Sequence, residues 1–158
     1  MAHGYELGDF STFVRTAGQE LLRTAYLLML DQSEAEELLR EGLTRTYAAW
    51  SRLDGPEQAE VYCRTLLAHL AIDGSRRRPR GPSMVPPASE VEADPVTDAL
   101  HTLPLRSRAC LVLSEYAGMP VRDVAAAVGL SERHAAGEIG RANQLLRTTR
   151  DLPHVSSA

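Results

Sequence analysis

The chain has 158 residues, enough for one domain or two small ones. Its net charge of −4 counts against a protein whose only business is gripping naked nucleic acid. No apolar run approaches the roughly 20 residues that span a bilayer, and the polar, acidic start MAHGYELGDF is no secretory signal, so a cytoplasmic protein is expected. Aromatics make up 5% of the chain, which leaves Leu, Ala and Val to fill the core. Short apolar stripes at helical spacing and few β-branched runs predict an all-α fold. Cys63 and Cys110 lie far apart with no neighbouring His or Cys, and read as small buried residues.

The first helical block runs from about Phe10 to Leu30, with Phe13, Leu21, Leu22, Ala25, Leu28 and Met29 on its apolar face. Asp31 to Ser33 is a break, with Ser33 as the expected N-cap of the next helix and Glu36 three residues on. That helix, Glu34 to Trp50, turns Ala35, Leu38, Leu39, Leu43, Thr46, Tyr47 and Trp50 to one side. Glu34, Glu36, Glu37, Arg40, Glu41 and Arg45 line the rest, as a solvated face or as a docking surface for a basic partner. After the turn Asp54-Gly55-Pro56, a third helix spans about Gln58 to Asp73, with Val61, Tyr62, Leu66, Leu67, Leu70 and Ala71 inward, and stops at Gly74-Ser75.

Arg76-Arg77-Arg78-Pro79-Arg80 follows, either a phosphate contact or the start of a solvated linker. The stretch PSMVPPASEVEADP has little to bury and reads as a flexible linker. Two small helical domains, 8–76 and 96–151, joined by the Pro-rich linker 77–95, are therefore predicted, each free to move. The second opens with a helix near Pro95 to Leu103 and another over Leu105 to Tyr116.

Met119 to Arg147 then reads as helix, tight turn, helix. Val121, Val124, Ala125 and Val128 make one apolar face. Gly129 stops the helix because it tolerates positive φ, Leu130 can plug the gap between the helices, and Ser131 is a good N-cap. Ala135, Ile139, Ala142, Leu145 and Leu146 form the second stripe. This is a helix-turn-helix pattern, whose second helix usually enters the DNA major groove. An ordinary helical hairpin shares the pattern.

The order of these parts resembles the extracytoplasmic-function (ECF) RNA polymerase sigma factors, especially the compact actinobacterial type. The resemblance is carried by LLRTAYLLMLDQSEAEELLREGLTRTYAAWSRL, then YCRTLLAHLAIDGSRRR, then a variable linker and LHTLPLRSRACLVLSEYAGMPVRDVAAAVGLS. It implies a region 2-like domain and a region 4-like helix-turn-helix domain, with no enzymatic activity, catalytic residue, metal or cofactor. The implied partners are core RNA polymerase and promoter DNA. An anti-sigma factor or another transcription factor is a further expected partner; a membrane is not. By the resemblance, Glu37, Leu38, Arg40 and Glu41 would dock on the β′ clamp. Arg64, His69, Arg76, Arg77 and Arg78 would lie by the −10 element. Ser131, Arg133, His134 and Arg141 would serve the −35 element, and the last domain's apolar surface would meet the β flap.

The departures from the family pattern fall on these faces. The recognition stretch SERHAAGEIGRA stands where the family reads like SVGTVKSRLSRA, with Ala136 for a basic residue and Glu138 for Arg. A carboxylate facing phosphates would repel them. Gly137 and Gly140 each cost the helix roughly 1 kcal/mol relative to Ala. Arg40 replaces a common Gln, His69 a common Asn, and Gly74 and Ser75 bulky or basic residues. Two functions follow: a sigma factor directing promoter-specific initiation, or a sigma-like regulatory protein that keeps the fold and partner contacts with lost or altered promoter recognition. An enzyme is disfavoured, since His3, His69, His101, His134 and His154 are scattered and no phosphate loop or nucleophile elbow occurs.

Overall fold

The computed structural model describes residues 7–77 and 95–151. Their regular elements are helical: α1 (Leu7–Met29), α2 (Gln32–Ala49), α3 (Pro56–Arg77), α4 (Pro95–Thr102), α5 (Leu105–Leu111), α6 (Val121–Val128) and α7 (Glu132–Asp151). A 3₁₀ turn over Trp50–Arg52 closes α2, and a π-helical turn over Val112–Tyr116 extends α5.

Local chemistry sets most boundaries. Asp31, not Ser33, caps α2: its Oδ1 accepts from the Glu34 amide at 2.8 Å. Ser33 lies inside the helix, and Glu36 accepts from the Gln32 side chain at 2.8 Å instead of closing a capping box. The third helix does not stop at Gly74-Ser75 but runs to Arg77. Ser75 stays helical by donating its hydroxyl to the Ile72 carbonyl at 2.8 Å. Gly129 takes the left-handed conformation at φ 71°, as its position after α6 requires. Val61, Val121 and Leu145, expected inside, are 41%, 37% and 39% exposed.

Helices α1, α2 and α3 pack against one another as a bundle. Gly42 of α2 lets α3 approach: a Cβ there would come 2.8 Å from Leu67 Cδ2. Gly42→Val is expected to destabilise the fold by about 2 kcal/mol, since overpacking a filled core costs about 1–3 kcal/mol. A lowered denaturant midpoint would register it, and an unchanged midpoint would show that Leu67 yields freely. Cys63 and Cys110 are both fully buried and unpaired by disulfide. Burial pushes each thiol up to about 11.

The composition of the linker predicts two free domains, but the structure packs the two halves together. One apolar core runs from Phe13, Leu21 and Leu67 through Leu113, Val124 and Ile139. Helix α3 lies against α6, and α1 lies against α5 and the π turn. Leu30 helps to join them. It holds φ 56°, and its amide donates to the Tyr26 carbonyl at 2.6 Å. A left-handed leucine costs roughly 1–2 kcal/mol. The conformation ends α1, and Leu27 and Leu30 pack on a cluster of Leu100, Leu103, Leu111 and Ala142.

Polar contacts reinforce this seam. Arg108 of α5 donates Nε to the Leu28 carbonyl at 3.0 Å and Nη1 to the Leu100 carbonyl at 3.2 Å. One guanidinium thus caps the C-terminal ends of α1 and α4, where cations are favoured. Tyr116 donates to Glu20 of α1 at 2.5 Å, and the Arg23 guanidinium lies 5.9 Å from its ring centroid.

Candidate functional site

Helix α7 carries the residues expected to read a −35 element. Ser131 caps it: the Ser131 Oγ accepts from the His134 amide at 3.2 Å and lies 2.9 Å from His134 Nδ1. Ala135, Ile139 and Ala142 turn inward and seat the helix. Arg133, His134 and Arg141 are exposed on the outer side.

Glu138 departs from its expected position. It does not stand out toward a DNA backbone but turns back to α5, where its Oε2 accepts from Ser107 Oγ at 2.5 Å. Its Oε1 accepts from Arg141 Nη2. The Glu138 side chain is 26% exposed, whereas that of Arg141 is 69% exposed. The bond from Ser107, then the bond from Arg141, holds this carboxyl below the usual carboxylate range. Position 138 lies four residues before Ala142 and three after Ala135, so it borders the buried stripe. That border, rather than the open face, explains its direction.

The −10-type residues sit differently from the expectation. Arg64 is 13% exposed and bridges to Glu60 at 2.8 Å. His69 donates Nε2–H to the Ala126 carbonyl of α6 at 3.2 Å. Arg64 is thus held by its own helix, while His69 is exposed with one ring nitrogen bonded to α6. Arg76 and Arg77 close α3, and Arg78 lies outside the described residues.

On α2, Glu37, Arg40 and Glu41 are exposed, while Leu38 turns into the core at 8% exposure. Glu34, Glu37 and Glu41 line one wall of a cleft of about 450 Å³ between the halves. Leu28, Leu70 and Leu103 supply apolar surface, and Arg108 and His101 stand on the second-domain side. Acidic residues beside an apolar floor suit a cationic amphipathic partner.

The family models described as sigma-70 region 2 and sigma-70 region 4 match residues 13–81 and 93–145. An RNA polymerase sigma-E factor of Streptomyces coelicolor is 30% identical, over 93% of this chain and 90% of the relative. Its counterpart in Streptomyces avermitilis is 32% identical over 96% of this chain and 92% of the relative. The chain belongs to the ECF class of RNA polymerase sigma factors.

Members of this class are non-enzymatic transcription initiation factors. The solved sigma factor RpoE bound to the anti-sigma factor NepR, from Bartonella quintana, shares the fold of this sigma factor. It has a TM-score of 0.74 and 17% identity over 93% of this chain and 99% of that one. The solved complex of CnrH with the cytosolic domain of CnrY matches with a TM-score of 0.69 and 23% identity, over 95% and 92%. Among the described residues, no helix is long and apolar enough to cross a membrane.

Nothing in the sequence pattern marked Arg108, Tyr116, Ser107 and Leu30 as residues that hold the sigma factor's two halves and helix α7 in place. Ser107 is 31 residues from Glu138, and Arg108 is 80 from Leu28. Neither separation leaves a mark in helical periodicity. The signal available was an arginine followed by a small apolar run at the start of α5, which many helices share.

Proposed function

We propose that this sigma factor binds core RNA polymerase in the cytoplasm and directs promoter-specific initiation. The observation that carries the reading is the outer side of α7, which exposes Arg133, His134 and Arg141 while Glu138 faces α5. A helix offering arginines on its open side suits base-edge and phosphate contacts in a major groove. Ser131 orders its first turn. Glu37, Arg40 and Glu41 form the polymerase-docking face of α2, and Leu38 braces that face from the core. Arg64, His69, Arg76, Arg77 and Arg78 serve the −10 element once α6 has left α3.

That last step gives the function a conformational requirement. His69 Nε2 is bonded to α6, so freeing it for a −10 contact needs α6 to leave α3, whereas Arg64 is held by Glu60 of its own helix. Polymerase binding supplies the differential affinity for the parted form. An anti-sigma factor is the inferred opposing partner, binding the acidic-walled cleft in the closed form.

The packed seam also favours a second reading, a sigma-like regulator that stays closed and acts through partners alone. One experiment separates them: binding to Streptomyces coelicolor core polymerase, followed by run-off transcription from a genomic fragment library. Binding with promoter-specific transcripts, weakened by Arg133→Ala, is the expected result. Binding without transcripts would favour the regulator.

A further inference from the structure

We propose that Glu138 is a positioning residue that aims Arg141 at a base edge of the −35-type duplex; the proposal rests on α7 being the DNA-reading helix. A glutamate in the middle of such a helix invites the opposite conclusion, repulsion of phosphate. The geometry argues against repulsion. Both oxygens of Glu138 are engaged, Oε2 by Ser107 at 2.5 Å and Oε1 by Arg141. Ser107 belongs to α5, which packs directly on α7. The carboxylate is therefore tied to the rigid body of the domain and in turn ties down a flexible arginine.

Gly137 completes the arrangement. A Cβ at Gly137 would lie 3.8 Å and 3.9 Å from the two terminal nitrogens of Arg141. The guanidinium is thus laid back over the preceding turn, on the side of α7 nearer Arg133 and His134. A longer side chain at 137 would take the space it occupies. Two features that weaken α7 as an isolated helix, a glycine and a carboxylate, together place one cation.

The charge balance on the guanidinium also fits. Glu138 uses one of the five N–H groups of Arg141, and the side chain remains 69% exposed. Enough donors are left for a bidentate contact. The commonest such partner is the O6/N7 edge of guanine. Holding the side chain in place before binding removes rotamer entropy that would otherwise be lost at the interface. The remaining charged groups on the first two turns are Glu132, Arg133 and His134, all exposed.

The test is run-off transcription by the 158-residue chain with Streptomyces coelicolor core polymerase. The template is a promoter pool randomised in the −35 element. The wild type is expected to select one base pair by about 10-fold or more, the range of a good bidentate contact. Arg141→Ala and Glu138→Gln are each expected to bring that position toward parity and leave the other positions selected. The double variant is expected to be no worse than Arg141→Ala, because Glu138 acts through Arg141. Gly137→Leu provides a third route to the same loss at the same position. If Glu138→Gln instead raises output from all sequences alike and keeps the preference, the carboxylate repels DNA and the proposal is wrong. If Arg141→Ala flattens the position but Glu138→Gln does not, the positioning role is overturned while DNA reading by α7 stands. No selection by the wild type would remove both.

Discussion

Leu113→Ala is expected to destabilise the whole chain by about 3 kcal/mol, within the range of about 2–5 kcal/mol for emptying a packed leucine site. Leu113 is fully buried at 0% exposure in the π-helical turn. It belongs to the core cluster that draws residues from both halves. The loss should therefore reach the first half as well as the second. Trp50 makes this measurable. It is the chain's one tryptophan, buried at 6% exposure and 5.2 Å and 5.4 Å from the ring centroids of Phe10 and Phe13. Its fluorescence reports the first half alone. In urea, the Trp50 transition of the Leu113→Ala variant should move to lower denaturant together with the helical circular dichroism signal. A Trp50 transition that stays in place while part of the helix signal melts early would mean that the halves unfold independently.

The second large effect falls on Arg108. Arg108→Ala is expected to cost about 2–3 kcal/mol, since hydrogen bonds from a charged group contribute about 1.5–3 kcal/mol. The substitution leaves the Leu28 and Leu100 carbonyls without the donor that both share. Burial holds the Arg108 pKa below its ordinary value, and the bonds to two helix-end carbonyls offset that desolvation. Arg108→Lys should not rescue the loss. A compact ammonium on a flexible stem lacks the planar fork that spans two carbonyls. Small-angle scattering should record a larger radius of gyration for both variants as α1 and α5 part. An unchanged scattering profile with an unchanged denaturant midpoint would show that water replaces the guanidinium at no cost.

The two substitutions have different consequences for the proposed initiation step. Leu113→Ala weakens the folded state of both halves. Arg108→Ala acts at the seam and favours the parted form in which His69 can leave the Ala126 carbonyl. Under the proposed function, strength at the seam opposes polymerase binding, and Leu30, held at φ 56° with its side chain packed across the seam, is part of it.

Much of the architecture was legible in the sequence because helix formation is governed within a few residues. The apolar spacing of α2, α6 and α7, the stop at Gly129 and the cap at Ser131 all depend on neighbours one turn away. The same rule explains the small errors. Asp31 and Ser33 are both good caps, and only the backbone geometry of Asp31, with its side chain on the Glu34 amide, separates them. Gly74-Ser75 is a plausible stop that the packing of α3 carries through.

The candidate site divides along the same line. The inward stripe of Ala135, Ile139 and Ala142 followed from periodicity, although Leu145 turned out exposed, and Arg133, His134 and Arg141 were named from the resemblance to the family. What those residues are bonded to did not follow. Glu138 turns inward because Ser107, 31 residues earlier, meets it there. His69 is occupied because Ala126, 57 residues later, lies across from it. The closed seam exists because Leu27, Leu30 and Arg108 find partners in the other half. Sequence by itself determined the helices, the stop at Gly129, the cap at Ser131 and the family, since each rests on short-range chemistry or on the order of parts. Tertiary structure alone decided which charges are spent inside the molecule, because that depends on contacts between segments that no local pattern records.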